Sequence, residues 1–276
     1  MTKRMKILSA VTLILLGALT LAYMNRSNII IAAVGFAQRM ALSSEPNRPV
    51  NWEDGGTWQG NGERPPNIVV ILTDDMGFND VSMYGGGLIE TPHIDALADE
   101  GVLFANGYAG SAVCSTSRAM LLTGRYSTRF GFEFTPAPNA FGPILRQLTH
   151  VDPMPRKFRF PESQKDTTGS DLPFAARGLP PEEITLAEEL RQSGYRTLHI
   201  GKWHLGRDPL LRPVAQGFDE SLMMEGGLYL PVDSPDVANA RNEFAVLDKV
   251  QWEIMSYAVS FNNSDRFEPD SYLTDY

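Results

Sequence analysis

The sequence predicts an α/β fold, and three observations support that prediction. Residues 67–73 (NIVVILT) form a nearly continuous apolar run rich in β-branched side chains, which is typical of a strand buried on both faces of a parallel sheet. Helix boundary residues bracket segments 91–101 and 185–193, and a second strand-like run, residues 196–200, follows the later helix. Strands that alternate with helices in this way favour the α/β class.

The two helices are predicted from the residues at their ends. Thr91 can cap the first helix, Pro92 suits its first position, and Gly101 is a typical residue just after a helix. Thr185 and Glu188 form a capping-box pattern at the start of the second helix. Residues 102–104 are apolar and are interpreted as the start of a further strand.

A third helix is predicted over residues 115–123, with Gly124 after its end. Cys114 then lies at the helix N-terminus, where free N–H groups and the helix dipole stabilise a thiolate or an oxyanion. Since the chain has 1 cysteine, it cannot form an internal disulfide or a thiolate-rich zinc site. A buried inert thiol is the ordinary alternative for a lone cysteine.

The composition is that of a globular protein. Of the 276 residues, 43% are hydrophobic and 21% are charged, and the formal net charge is −9. The acidic balance argues against a general nucleic-acid role, because proteins with such a role usually carry a basic face. A small anionic substrate is not excluded, because a few local cations can hold one.

The N-terminus reads as a signal peptide or membrane anchor. Lys3, Arg4 and Lys6 precede an apolar run over residues 7–24, which is borderline in length for crossing a bilayer. The basic residues favour a cytoplasmic start, so the rest of the chain is predicted to be exported to the periplasm or another extracytoplasmic compartment. We favour an anchor retained at residues 7–24 over a cleaved leader.

The chain therefore divides into three predicted parts. Residues 1–40 are the signal peptide or anchor, residues 41–65 are a polar, Pro- and Gly-rich linker, and residues 66–276 are the folded domain.

Four polar residues follow the predicted strands. Asp74 and Asp75 come directly after the first strand, and Lys202 and His204 follow the second. Ligand sites of α/β folds gather at the carboxyl ends of strands. Adjacent carboxylates in a turn can bind calcium or magnesium, a lysine can bind an anionic oxygen, and a histidine can donate a proton to a leaving group near neutral pH. An acidic surface turn, a surface lysine and a structural histidine are the alternatives.

Arg118 lies one helical turn after Cys114, so its guanidinium can pair with negative charge at the cysteine position. An exposed helix arginine is the alternative.

Five segments together resemble the sulfatase family. Residues 114–125 (CSTSRAMLLTGR) are similar to its first signature, and residues 194–206 (GYRTLHIGKWHLG) are similar to its second. The remaining matches are residues 66–75 (PNIVVILTDD), 91–101 (TPHIDALADEG) and 216–219 (QGFD). Their order and separations agree with the family across residues 66–276.

The resemblance implies an alkaline-phosphatase-like sandwich with a central, mostly parallel sheet. It implies that a separate maturation enzyme oxidises Cys114 to formylglycine, whose hydrated aldehyde attacks sulfur and releases the alcohol of a sulfate ester. By motif, Asp74, Asp75 and the modified Cys114 would bind calcium, or magnesium in its place. Arg118 would hold the hydrated aldehyde.

The same match assigns the other two catalytic residues: Lys202 would bind a sulfate oxygen, and His204 would assist at the nucleophile. The expected substrate is a sulfated small molecule or glycan, and the expected partners are the maturation enzyme and, through the N-terminal segment, a membrane.

Two departures from the family pattern affect these expectations. Thr116 stands where the family has proline or alanine, which predicts inefficient conversion of Cys114. The family also has a further histidine, an Asp-Asn pair and another lysine beyond the segment that matches residues 271–275. We therefore expect a catalytic domain that is incomplete at its C-terminus, with weak or no activity and marginal folding as an isolated chain.

Three alternative functions remain open at this stage. The first is a phosphonate or phosphate ester hydrolase of the same superfamily. The second is a non-catalytic, membrane-tethered remnant that binds sulfated ligands. The third is a phosphoethanolamine-type transferase, which the motif around Cys114 disfavours.

Overall fold

The computed structural model describes residues 3–56, 58, 62–136, 172–231, 234–236 and 246–276. The α-helices are α1 (Lys3–Met24), α2 (Arg26–Ala41), α3 (Pro92–Glu100), α4 (Cys114–Thr123), α5 (Leu186–Gln192) and α6 (Val246–Ile254). The strands are β1 (Leu198–Gly201), β2 (Glu220–Met224) and β3 (Val259–Phe261). Short 3₁₀ helices cover Phe78–Asp80, Ser82–Tyr84, Ser127–Arg129, Phe174–Ala176, Pro209–Leu211 and Pro213–Gln216.

The strands form a mixed sheet in the order β1-β2-β3. β1 and β2 run parallel, with Leu198 opposite Glu220, whereas β2 and β3 are antiparallel, with Leu222 opposite Phe261. The α/β class predicted from the sequence is therefore confirmed. The second predicted strand is present at 198–201.

The predicted helices also form, with boundaries set by the expected residues. α3 begins at Pro92 and stops before Gly101. The predicted cap by the Thr91 side chain is wrong, because its Oγ1 donates to Asp95 Oδ1 at 3.0 Å and accepts from the Ser82 N–H, and it makes no cap hydrogen bond. α5 has the predicted capping box, in which Thr185 Oγ1 accepts from the Glu188 N–H and the Glu188 carboxylate accepts from the Thr185 N–H. α4 begins at Cys114 itself.

The predicted first strand is wrong as a paired strand. Residues 67–73 are extended and exposed, and no backbone ladder joins them to β1 among the described residues. Tyr195 Oη donates to the Pro66 carbonyl at 3.2 Å, and Lys202 pairs with Asp74 at the other end. The segment thus runs in the same direction as β1. A strand buried on both faces needs packed layers on both sides, and within the described residues these layers do not cover it.

The strand expected to begin at residues 102–104 is wrong as well. These residues belong to no strand, and Val102 and Phe104 are largely exposed. Their apolar side chains, like those of residues 68–72, have no packed neighbour layer in the described part of the chain.

One hydrophobic cluster connects α4 to the sheet. Its buried members come from α4, the segments after α4 and before α5, the loop after β1, and β2: Ala119, Phe130, Phe132, Leu179, Trp203, Leu205 and Met223. Burial of such side chains stabilises by about 1.5–3 kcal/mol each. This cluster therefore holds the N-terminus of α4 in a fixed position beside the end of β1.

Residues 44–53, part of the segment interpreted as a linker, pack along the sheet. Glu45 forms an isolated parallel bridge with Phe267, and Trp52 meets the ring of Phe261 edge-on at 5.0 Å. The Glu53 N–H donates to the Glu220 carboxylate at 3.1 Å. These contacts attach this stretch of chain to β2 and to the region around β3.

The first helix contains an 18-residue apolar window, Ile7–Met24, none of which is buried. Its length and composition are sufficient to cross a bilayer, and an N-terminal signal sequence has the same properties.

His199 is a structural residue. Its Nδ1 lies 3.0 Å from Ser221 Oγ, and its ring contacts Trp203 and Phe218 edge-on, with centroid distances of 5.2 and 5.5 Å. Burial lowers the pKa of His199 from 6.5 to about 4, so the imidazole is neutral in the folded chain near pH 7.

Thr185→Ala is expected to lower the free energy of unfolding by about 1–2 kcal/mol, because it removes the cap of α5 and a buried hydrogen bond. Thr185 Oγ1 donates to the Gln216 carbonyl at 2.7 Å in addition to capping the helix. Urea denaturation measures the change. Thr185→Ser keeps the hydroxyl and is the matched control; equal destabilisation by both variants would assign the effect to the methyl group.

The free energy of unfolding is expected to decrease as the pH falls from about 6.5 to about 4, because the unfolded chain takes up a proton that folded His199 excludes. In that window one such group contributes up to about 1.4 kcal/mol per pH unit. Chemical denaturation of wild type and His199→Gln at several pH values measures the slope. An unchanged slope in the variant would contradict the assignment.

Candidate functional site

Cys114 is the first residue of α4. Val113 precedes it in an extended conformation, and the Ser117 N–H donates to the Val113 carbonyl at 2.9 Å, which closes the first turn. The helix ends at Gly124, whose φ of 65° is readily adopted by glycine. The half-buried thiol therefore lies where the helix dipole favours negative charge.

The loop after β1 brings Lys202 and His204 to the same place. Gly201 (φ 101°) and His204 (φ 65°) both adopt left-handed backbone conformations, so the chain turns sharply as it leaves the strand. Between them, Trp203 is buried, and its Nε1 donates to the Leu211 carbonyl at 2.8 Å. This anchored indole fixes the loop, and the two neighbouring polar residues take their positions from it.

The thiol of Cys114 faces the imidazole of His204, with 3.4 Å between Sγ and Nδ1. Burial, followed by the positive charges of Lys202 and Arg118, lowers the pKa of His204 to about 4. The ring is therefore neutral near pH 7. A neutral imidazole at this distance can accept a proton from a nucleophile at position 114. It does not carry the additional proton that it would need to act as a general acid toward a leaving group.

A charge cluster formed by Asp74, Arg118 and Lys202 lies beside the thiol. Arg118 Nη1 donates to the Lys202 carbonyl at 2.8 Å, and Nη2 lies 3.3 Å from Asp74 Oδ1. Lys202 Nζ pairs with the other oxygen of Asp74. Burial alone would raise the pKa of Asp74, but the two cations outweigh it and the pKa is lowered. The carboxylate is therefore ionised, and one cationic charge remains in excess.

Asp75 differs from the other predicted residues. It has a left-handed backbone conformation (φ 55°) and makes no hydrogen bond or ion pair with another described side chain. The structure thus brings Asp74, Cys114, Arg118, Lys202 and His204 together. Asp75 follows Asp74 in sequence, but no other described side chain pairs with its carboxylate.

The donor types at this turn fit a hard divalent cation, since Asp74 and Asp75 offer carboxylate oxygens. In the described part of the chain, no three His, Cys, Asp or Glu side chains converge. Calcium takes about six to eight oxygen ligands. These residues therefore match the chemistry of such an ion and supply only part of its coordination shell.

Thr116 has a feature that the sequence alone did not reveal. It is buried, and its Oγ1 finds no hydrogen-bond partner among the described residues. A buried unpaired hydroxyl costs about 1–3 kcal/mol. The sequence signal for this feature was the residue type, because threonine stands where the sulfatase motif has proline or alanine.

A second feature that sequence reasoning missed is the ion pair between Arg125 and Glu183, which connects the segment after α4 to the turn before α5. Its two members lie far apart in sequence, so no local pattern identifies them as partners.

The Sulfatase family model matches residues 66–265. The chain is 35% identical over 193 residues to N-acetylgalactosamine-6-sulfatase of Canis lupus familiaris, covering 69% of this chain and 30% of that protein. It is 36% identical over 169 residues to steryl-sulfatase of Mus musculus, covering 59% of this chain and 22% of that protein. The chain thus spans less than a third of the length of these curated relatives.

Among solved structures, the chain is similar to Ps i-CgsB, with 27% sequence identity and a TM-score of 0.49, covering 74% of this chain and 38% of that one. The family model covers more than half of the chain and includes every residue of the site. The chain belongs to the sulfatase family, within the alkaline-phosphatase-like superfamily.

Proposed function

We propose that the protein to which this chain belongs is a sulfuric ester hydrolase that cleaves a sulfate monoester through a formylglycine derived from Cys114. The observation that carries the proposal is the convergence of the Cys114 thiol, the neutral His204 ring and two cations at the N-terminus of α4. Acyl or sulfuryl transfer needs a nucleophile, a proton acceptor and fixed positive charge, and these residues offer all three.

Each residue has a role that follows from its position. The hydrated aldehyde at position 114 would supply the nucleophilic oxygen. His204, 3.4 Å from the present thiol, accepts a proton there. Arg118 spans from Asp74 to the Lys202 carbonyl and so aligns both, and the Lys202 ammonium binds a sulfate oxygen. Because these cations are held in place before substrate arrives, they stabilise developing negative charge without reorganisation.

Calcium is the proposed metal, with magnesium as the alternative. Asp74, Asp75 and the modified Cys114 would hold it. When bound, such an ion would neutralise charge on the transferring sulfuryl group. Asp75 is well suited to this, because its carboxylate is not engaged by another described side chain.

The proposed substrate is a sulfated small molecule or glycan. Two of the relatives are named for sulfated compounds. N-acetylgalactosamine-6-sulfatase is named for a sulfated sugar, and steryl-sulfatase is named for a sulfated sterol. The region that these proteins share with this chain contains the site. The likeness therefore supports the reaction class, but it does not identify the alcohol part of the sulfate ester.

The proposed location is extracytoplasmic, with α1 as a retained membrane anchor. Lys3, Arg4 and Lys6 lie at the start of this helix, and its Ile7–Met24 window has the length to cross a bilayer. A formylglycine-generating enzyme is the proposed maturation partner.

Conversion of Cys114 is expected to be incomplete in the wild type and greater in Thr116→Ala and Thr116→Pro, since both replacements restore the family residue and remove the unpaired buried hydroxyl. Each chain is co-expressed with a formylglycine-generating enzyme, and mass spectrometry of the peptide containing residue 114 measures the fraction in which an aldehyde replaces the thiol. Cys114→Ala is the blank. An intact thiol in all three chains would contradict formylglycine formation.

Arg118→Ala and Lys202→Ala are each expected to lower kcat by about 10²–10³-fold, because each removes a fixed cation from the site. Turnover of 4-nitrophenyl sulfate is measured with the full product of the reading frame that contains this chain. Arg129→Ala, which removes an exposed arginine on a separate 3₁₀ helix, is the matched control.

The same assay separates the proposal from its nearest rival. Faster turnover of bis(4-nitrophenyl) phosphate than of the aryl sulfate would favour the phosphate or phosphonate ester hydrolase. Full sulfatase turnover in Cys114→Ala would exclude the proposed nucleophile altogether.

A further inference from the structure

The helix α2 presents two different apolar surfaces. On one side, Ile31 and Gly35 are buried against α6, where Ile31 packs on Val250. A Cβ added to Gly35 would lie 2.7 Å from Glu253 Oε2 and 2.9 Å from its Cβ, so the two helices are in close contact. Arg39 adds an ion pair to Glu253 at 3.2 Å. α2 is therefore part of the folded domain.

The opposite side of α2 is apolar and exposed. Ile29, Phe36 and Met40 are 52%, 62% and 73% exposed. At about 100° per residue these three side chains lie within about 40° of one another, and they are roughly opposite to Ile31 and Gly35. We call Ile29, Phe36 and Met40 the α2 stripe. A water-facing helix surface normally carries polar residues at such positions.

The α2 stripe begins where the bilayer-length helix ends. The Asn25 N–H donates to the Leu21 carbonyl, and the Ile29 N–H donates to the Asn25 carbonyl, both at 3.0 Å, so α1 leads into α2 without a flexible loop. Asn25 itself has φ −98° and ψ 12°, which departs from regular helical values.

The junction carries the residues expected at a membrane surface. Arg26 lies over the ring of Tyr23, with 4.5 Å from its guanidinium carbon to the ring centroid. Tyrosine and arginine are favoured where an apolar segment meets the headgroups, because each combines an apolar body with a polar end. Met24 is the last residue of the apolar window, so this pair marks its outer boundary.

From these observations we infer that α2 is a membrane-surface helix, with the α2 stripe in the boundary between headgroups and acyl chains and the opposite side fixed to α6. The inference rests on the proposed anchoring by α1. It means that the domain is held directly against the bilayer by a packed helix pair. A catalytic domain on a flexible tether would sample a much larger volume.

Three single-cysteine chains test the inference, all made in a Cys114→Ser background: Phe36→Cys on the α2 stripe, Leu15→Cys within α1, and Leu210→Cys as an exposed apolar control at 71% exposure. Each is labelled with a nitrobenzoxadiazole fluorophore and reconstituted into vesicles of phosphatidylcholine and phosphatidylglycerol. Quenching by nitroxide-labelled lipid reports contact with the bilayer, and quenching by iodide reports contact with water. Equal melting temperatures confirm that the labelled chains keep the parent fold.

The expected result is several-fold stronger quenching by nitroxide lipid at positions 36 and 15 than at position 210, with the reverse order for iodide. Strong lipid quenching at position 15 with iodide quenching at position 36 would overturn the inference while leaving the anchor intact. Shielding of position 36 from both quenchers would also overturn it, because protein would then cover the α2 stripe. Absence of lipid quenching at position 15 would refute the anchoring as well.

Discussion

The packing of α4 against the loop after β1 is the constraint on which the site depends. Ala119 of α4 is buried in the same cluster as Trp203 and Leu205, and the Trp203 indole is additionally fixed by its hydrogen bond to the Leu211 carbonyl. The thiol of Cys114 and the ring of His204 are carried on these two elements. Their 3.4 Å separation therefore follows from apolar packing on the interior side of the loop.

The electrostatics of the site follow from that packing. Arg118 extends from α4, Lys202 from the loop, and Asp74 from the end of the extended segment, so one carboxylate serves two cations from different elements. Burial, followed by the two positive charges, lowers the pKa of His204 and keeps the ring neutral. Fixed cations next to a neutral base suit a reaction in which an anionic group arrives and a proton leaves the nucleophile.

Other parts of the domain differ in how completely their apolar side chains are buried. Residues 68–72 and 102–104 present apolar side chains to solvent, although their composition is that of interior strands. The matched relatives are more than three times as long as the matched region, so most of their sequence has no counterpart in this chain. α2 and residues 44–53 are better packed, because they meet α6 and the sheet through specific contacts.

Sequence alone determined the features that depend on local rules. Pro92 and Gly101 delimit α3, and Thr185 with Glu188 caps α5, because helix ends depend on residues within one turn of each other. Ordered motifs identified the family and the candidate residues Asp74, Asp75, Cys114, Arg118, Lys202 and His204.

Only the tertiary structure decided the features that depend on distant residues. Whether residues 67–73 pair as a strand depends on neighbouring layers, and their apolar composition alone predicted a burial that the described residues do not provide. Three further features arise from groups that folding brings together. They are the pairing of Asp74 with both Arg118 and Lys202, the neutrality of His204 and the unpaired hydroxyl of Thr116. Local patterns encode which residues start and end an element, whereas burial and charge balance are properties of the packed chain.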